Sequence, residues 1–393
     1  MRRRYQKVAK QINQNRHNNL SDQTIIFNLS ESFADPSRVP GVTLKQNPIP
    51  QIDKIKRNNT SGLMLSSGYG GGTANMEYMT LTGFSMSLFS STLTTPFTQL
   101  VGNLANNPSV LGYFNHSTAI HPFTGTFYNR DTVYQKFGFN RLYSLYGHYK
   151  VKHKHYLGNN TYVDDQSAYE NVDDQLNRRH SGQFINLITM QNHLPYNNLY
   201  KNNGRFLASA PSAVDQDGLK NFTIGINYTD KAVNNFIKHI DQINRPITIV
   251  FYGDHLPGLY GSLLDSNWLQ LHKTDYFIYS NRYARQHGAK QKLNHNTAYV
   301  SPNDFMALAA EQTNSKVNWY LALLTKVQQT MPANLLNSQG NAKSTNLFVN
   351  QEGQVVQSNS LSQKQRQLWH DYQLIQYDVT GGHHYLVRGG QLK

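Results

Sequence analysis

The chain of 393 residues reads as an α/β protein with a largely parallel central sheet and helices on both faces. Two observations predict this class. Short apolar runs of strand length alternate with stretches of helical periodicity, and polar residues able to do chemistry follow directly after several of the runs. After about residue 340 the pattern changes to short alternating runs broken by turn residues, which adds a small antiparallel C-terminal subdomain.

Residues 1–22 are polar and basic, with Arg2, Arg3, Arg4, Lys7, Lys10 and Arg16, and read as a linker or a leading helix. Residues 23–340 form the main domain and 341–393 the subdomain. Thr24-Ile25-Ile26-Phe27-Asn28-Leu29 is the first strand, ended by a loop with Pro36 and Pro40. Gly62-Leu63-Met64-Leu65 is the next. The glycines of Ser67-Gly68-Tyr69-Gly70-Gly71-Gly72-Thr73 then let the backbone turn sharply, so that Thr73 opens a helix carrying Met76, Met79 and Leu81. Residues 141–180, rich in Tyr, His, Asn and Asp, read as surface loops between short helices. Residues 184–190 are a buried strand. Thr229 is placed to cap a helix with Val233, Ile237 and Ile240 on one stripe. Residues 247–252 and 276–279 are strands, and Ser301-Pro302-Asn303-Asp304 combines a cap, a proline and an acid at a helix start. In the subdomain, 345–349 and 372–377 read as strands.

Composition narrows the chemistry. The chain lacks cysteine, which excludes disulfides, thiolate metal sites and cysteine nucleophiles. No stretch approaches the roughly 18–20 apolar residues needed to cross a bilayer, and Met1-Arg2-Arg3-Arg4-Tyr5 does not begin a signal peptide. With 37 Lys+Arg against 23 Asp+Glu, the net charge of +14 favours anionic partners. Nucleic acid is not among those expected, because the basic residues are scattered among Asn, Gln and Tyr with no groove-reading motif. An anionic membrane surface or polymer fits the charge as well as a merely solvated basic surface does.

Four places put polar residues at the carboxyl ends of predicted strands: Glu31, Thr73, His193 and Asp254-His255. In open α/β sheets that edge is where ligands bind. Thr73 would sit at a helix N-terminus, where backbone N–H groups and the helix dipole receive an anion; the glycine run is no P-loop, since no Gly-Lys-Ser/Thr follows. Asp254 and His255, at successive positions after a strand, can reach one ion across the turn at Gly253, or can cap a turn and fill a core corner. Carboxylates with one imidazole suit Mn²⁺, Mg²⁺ or Zn²⁺.

Ser30-Glu31-Ser32, Gly70-Gly71-Gly72-Thr73-Ala74-Asn75 with Glu77, Met190-Gln191-Asn192-His193-Leu194-Pro195-Tyr196 and Tyr252-Gly253-Asp254-His255 resemble the extracellular catalytic domain of lipoteichoic acid synthases. These are phosphoglycerol transferases of the alkaline phosphatase and sulfatase superfamily. The resemblance runs in unbroken order from about residue 20 to about residue 390. It implies a sulfatase-like fold, one divalent ion (Mn²⁺ first) on Glu31, Thr73, Asp254 and His255, and Thr73 as nucleophile. It also implies that His121, Tyr128, Arg130 and His193 line a glycerophosphate pocket, with Tyr128 where the synthases commonly have Trp. The implied reaction moves glycerol phosphate from phosphatidylglycerol, through a threonine-linked intermediate, to a growing lipoteichoic acid chain or its glycolipid anchor. The implied place is the outer face of a Gram-positive cell membrane, with this chain as the part outside the membrane and its spanning helices absent.

Two other readings stand beside it. One is a phosphodiesterase or phosphoethanolamine transferase on the same fold; sulfatase chemistry itself is disfavoured, because no Cys/Ser-x-Pro-x-Arg motif holds the nucleophile position. The other is a non-catalytic module that binds an anionic polymer.

Overall fold

Strands Thr24–Ser30, Gln183–Ile188 and Ile247–Gly253 are buried along their whole length, as expected of parallel strands covered on both faces. In the computed structural model, which describes residues 1–201, 203–337 and 345–388, these three lie side by side in a sheet of nine. From edge to edge the order is Tyr299–Val300, Thr60–Leu65, Lys273–Ser280, Ile247–Gly253, Thr24–Ser30, Gln183–Ile188, Ser117–Ile120, Arg141–Ser144 and Tyr149–Lys150. All pairings are parallel except those of Lys273–Ser280, which runs antiparallel to both of its neighbours.

Side chains alternate between the two faces of Thr24–Ser30 and join two cores. Ile25, Phe27 and Leu29 pack with the helices Thr73–Thr82, Arg130–Phe137, Phe305–Gln312 and Trp319–Thr330. Ile26 faces the helices Pro50–Asn58, Asp165–Arg178 and Gln216–Ile240. A separate three-stranded antiparallel sheet, Ala333–Asn337, Thr345–Val349 and Val355–Val356, carries the C-terminal elements. Residues 338–344 and 389–393, part of the two expected domains, lie outside the described residues. Among the described residues no helix is long and apolar enough to cross a membrane.

Four local expectations are refined or overturned. The leading segment is a helix, Arg2–Asn13, which buries Tyr5 and Ala9 against Trp319–Thr330. Thr229 caps nothing. The helix starts at Gln216, where Asp215 accepts from the Gly218 N–H at 3.0 Å, and Thr229 lies in its buried middle, donating to Asp165 Oδ2 at 2.5 Å. Residues 372–377 belong to helix Gln363–Thr380: Ser362 and Gln365 form a capping box, and Leu368, Tyr372, Ile375 and Val379 make one buried stripe. Within 141–180, two short strands extend the sheet to its edge and Asp165–Arg178 is a helix of 14 residues.

Candidate active site

Parallel register brings the first acid and the Asp-His pair together. Ser30 pairs with Gly253, so Glu31 and Asp254 leave adjacent strands at the same edge. A Cβ on Gly253 would lie 1.8 Å from the Phe33 carbonyl oxygen, so only glycine permits this close approach. Ser32 holds a left-handed backbone (φ 53°), which aims its N–H at Asp254 Oδ1 (2.8 Å) and its hydroxyl at Glu31 Oε1 (2.8 Å). The His255 N–H also donates to Asp254 Oδ1, at 2.9 Å. Its ring Nδ1 donates to the Leu256 carbonyl at 2.9 Å, which leaves Nε2 as a lone-pair donor.

That Nε2 lies 3.2 Å from Asp254 Oδ2 and 3.8 Å from Glu31 Oε1. All three side chains are buried, with ligand atoms within 4.8 Å of one another. Asp254 Oδ2 is buried without a hydrogen-bond partner. Burial, and then the neighbouring Asp254, push the Glu31 carboxyl well above the usual carboxylate range. A divalent cation would relieve both conditions, and two carboxylate oxygens with one imidazole are a hard, mostly oxygen set suited to Mn²⁺, Mg²⁺ or Zn²⁺. The residues fit the ion.

Thr73 completes the group. Gly72 adopts φ 94°, a left-handed cap position that suits glycine, and Thr73 is the first residue of helix Thr73–Thr82. The Gly70 N–H donates to the Leu256 carbonyl at 3.0 Å, tying the glycine loop to the Asp-His loop. Thr73 Oγ1 thereby comes within 3.5 Å of His255 Nε2. The hydroxyl sits beside the cation cluster and at the positive end of a helix.

The expected pocket residues lie in two arrangements. Arg130 is 1% exposed, and its fork is occupied: Nε stands 3.2 Å from both Glu77 oxygens, and Nη2 donates to Glu77 Oε1 at 2.5 Å. Its Nη1 donates to the Phe127 carbonyl at 3.0 Å and faces His121 Nε2 at 3.3 Å. His121 is fully buried, with Nδ1 3.2 Å from the Ile188 carbonyl. Burial first, and then the Arg130 charge, hold its pKa well below the ordinary histidine value, so it stays neutral and accepts from Arg130. It is therefore not free to donate from Nε2. His193 is different: half-buried, it donates from Nδ1 to the Leu194 carbonyl at 2.8 Å, leaving Nε2 open. The Tyr128 ring stacks under Arg130, 5.2 Å from the guanidinium carbon, on a left-handed backbone (φ 56°). Burial raises the Tyr128 hydroxyl pKa, opposed by a hydrogen bond from the Gly72 backbone, so the ring reaches the residue just before Thr73.

Aromatic rings join these parts. Phe123 contacts His121, Phe127 and Tyr162, and His193 packs on Phe127 and Tyr162. Sequence reasoning assigned no role to Tyr162, Ser32, Glu77 or Tyr134. Glu77 carried a signal all the same: an acid between Met76 and Tyr78-Met79, in a helix without a basic residue, needs a buried partner from elsewhere, and it has two, Arg130 and the Tyr134 hydroxyl. His153 and His155 stay apart from the site, beside Glu170 and Asp164.

The fold is shared with known proteins. The sulfatase family model matches residues 23–315. The structure of the Streptococcus pyogenes phosphoglycerol transferase GacH in complex with sn-glycerol-1-phosphate is 34% identical, with a TM-score of 0.84 over 99% of this chain and 94% of that one. Lipoteichoic acid synthase LtaP from Listeria monocytogenes is 16% identical, with a TM-score of 0.61 over 95% and 97% of the two chains, and shares the fold. A Rhizobium meliloti (strain 1021) protein named for cyclic β-1,2-glucan modification is 32% identical over 241 residues, which is 60% of this chain. The chain spans less than half the length of the curated relatives it matches, 36% and 45%. The chain belongs to the sulfatase family, in the alkaline phosphatase and sulfatase superfamily.

Proposed function

We propose that the protein is a metal-dependent phosphoglycerol transferase that takes glycerol phosphate from phosphatidylglycerol and passes it, by way of Thr73, to an acceptor hydroxyl outside the cell membrane. The observation that carries this reading is the Thr73 hydroxyl, 3.5 Å from His255 Nε2 at a helix N-terminus and beside two buried carboxylates. Similarity to a phosphoglycerol transferase over 99% of the chain supports it.

Glu31, Asp254, His255 and Thr73 would hold one divalent cation, Mn²⁺ first, which when bound supplies positive charge for the threonine hydroxyl and the phosphoryl oxygens. Thr73 Oγ forms the new bond to phosphorus while the bond from phosphorus to the diacylglycerol oxygen breaks. The proton lost from the Thr73 hydroxyl ends on the leaving diacylglycerol oxygen, so this half neither gains nor loses a proton. In the second half the acceptor oxygen attacks phosphorus, the bond to Thr73 Oγ breaks, and the threonine regains its proton. His193, with Nε2 open, takes the proton of the acceptor hydroxyl. Arg130, neutralised by Glu77, holds His121 in position at the pocket, while Tyr128 shapes the pocket wall.

The acceptor has two readings. A growing lipoteichoic acid chain or its glycolipid anchor follows from the sequence motifs. A glycan hydroxyl is favoured by the higher identity to the protein named for glucan modification, 32% against 16% for the lipoteichoic acid synthase. Incubation with manganese, labelled phosphatidylglycerol and either acceptor, followed by mass spectrometry of product and protein, separates them. Thr73→Ala should lower turnover at least about a thousandfold, equivalent to roughly 4 kcal/mol, with the circular dichroism spectrum unchanged. Activity above a tenth of wild type in that variant would remove Thr73 as nucleophile, and release of free glycerol phosphate alone would make the protein a hydrolase.

A further inference from the structure

We infer that the face formed by the N-terminal helix and the groove beside helix Gln363–Thr380 docks on a bilayer surface containing anionic phospholipid. Helix Arg2–Asn13 exposes Arg2, Arg3, Arg4, Lys7 and Lys10 and contains no acidic residue. It is fastened to helix Gln363–Thr380 at Asp371, which accepts from Arg4 Nη1 at 2.6 Å and from the Tyr5 hydroxyl at 2.8 Å. Within two turns of Asp371 the same helix presents Leu374 and Tyr377, 41% and 63% exposed. Large apolar side chains exposed together mark an interaction surface rather than a solvated one. Leu374 and Tyr377, with polar neighbours such as His370 and Gln373, form one wall of a groove of about 560 Å³, and Leu88, Phe89, Leu93 and Leu100 supply the apolar part of the other.

The charge decides the occupant. An acid-free row of cations complements the negative potential of an anionic leaflet, and an apolar groove with a tyrosine at its rim is the other half of an interfacial site. The groove also adjoins the catalytic helix: Phe89 packs on Tyr78 with ring centroids 5.9 Å apart, and the Asn75 side chain donates to the Thr94 carbonyl at 2.9 Å. A lipid with its chains at this groove would carry its headgroup toward Thr73; that orientation rests on the phospholipid-donor reading, whereas the docking itself does not.

The test uses the full chain and sedimentation with vesicles of phosphatidylcholine, with or without phosphatidylglycerol. Binding should be at least tenfold tighter on the vesicles with phosphatidylglycerol and should weaken as salt rises. Replacing Arg2, Arg3 and Lys7 together by Gln should weaken it about a hundredfold, at roughly fivefold per charge. Leu374→Asp with Tyr377→Asp should weaken it at least tenfold, while turnover of a water-soluble glycerophosphodiester without vesicles stays at the wild-type level. Equal binding to both vesicle types, or binding untouched in both variants, overturns the inference. Absence of soluble turnover with the vesicle pattern intact would instead refute the proposed activity and leave the docking face standing.

Discussion

At one end of the site Glu31 and Asp254 are buried with a single imidazole for company, and among the described residues neither pairs with a lysine or arginine. A few ångströms along the same helix as Thr73, Glu77 is buried just as deeply but is enclosed by the Arg130 fork and the Tyr134 hydroxyl. Burial works against the Arg130 charge, yet the Glu77 carboxylate holds its pKa above the ordinary arginine value. The first end has negative charge left over and the second has none. Buried charge without compensation is costly, so the first end calls for a cation from solution, while the second is a self-sufficient strut that positions His121.

Removing a member of the strut should therefore hurt the fold most. Glu77→Ala leaves the Arg130 guanidinium buried and unpaired, and should cost about 3–5 kcal/mol of stability. Urea unfolding measures it. Replacing Glu77 and Arg130 together by Met should recover much of that loss, because both charges leave at once. A Glu77→Ala protein as stable as wild type would mean that Arg130 finds other partners and that the two ends do not differ as described.

The opposite is expected at the cation end. Asp254→Asn keeps the Oδ1 that accepts from Ser32 and His255 and removes an uncompensated buried charge, so metal-free stability should rise. The response to manganese should vanish. Wild-type protein should gain about 2.7 kcal/mol when manganese is at a hundred times its dissociation constant, seen as a rise in melting temperature. A variant that still responds to manganese would place the ion elsewhere.

The same contrast explains what could be read from residues alone. Glu31, Thr73, Asp254 and His255 each follow an apolar strand, and a parallel sheet gathers strand ends at one edge, so their meeting was legible. The partner of Arg130 was not. Glu77 lies 53 positions away on another element, and only the packing of helix Thr73–Thr82 against Arg130–Phe137 brings it to the guanidinium. The start of helix Gln216–Ile240 was hidden because Thr229, a good capping type, is used inside the helix to satisfy buried Asp165. Residues 372–377, Tyr-Gln-Leu-Ile-Gln-Tyr, have the aromatic and apolar content of a short strand, yet the Ser362–Gln365 box and the stripe from Leu368 to Val379 commit them to a helix.

Arg130→Lys sits between the two ends. It preserves the charge but loses the second nitrogen of the fork, so one Glu77 contact or the His121 contact must go. Stability should fall by about 1–3 kcal/mol, the scale of hydrogen bonds to charged groups. Affinity for glycerol phosphate should fall with it, because the His121 and Tyr128 rings that Arg130 holds, which back the pocket wall, would shift. Manganese affinity should stay. Calorimetry with each ligand distinguishes a strut from a direct metal neighbour: a parallel loss of manganese binding would show that the two ends are one coupled unit.

The smallest effect should come from Tyr128, which touches both ends. Its ring lies against the Arg130 guanidinium and its hydroxyl meets the Gly72 backbone, one residue before Thr73. Tyr128→Phe keeps the ring and removes only the hydrogen bond, so it should cost about 0.5–1.5 kcal/mol, or roughly two- to tenfold in kcat/KM, with stability almost unchanged. Tyr128→Trp, the residue that the resembling synthases commonly carry, enlarges the face under Arg130 and strengthens its cation–π contact. It should retain turnover if the pocket wall there only shapes the glycerol end. If Tyr128→Phe instead lowered turnover as far as Thr73→Ala does, the hydroxyl would be handling a proton at the reacting phosphate, and the division between a cation end that does chemistry and a strut that holds position would have to be redrawn around Tyr128.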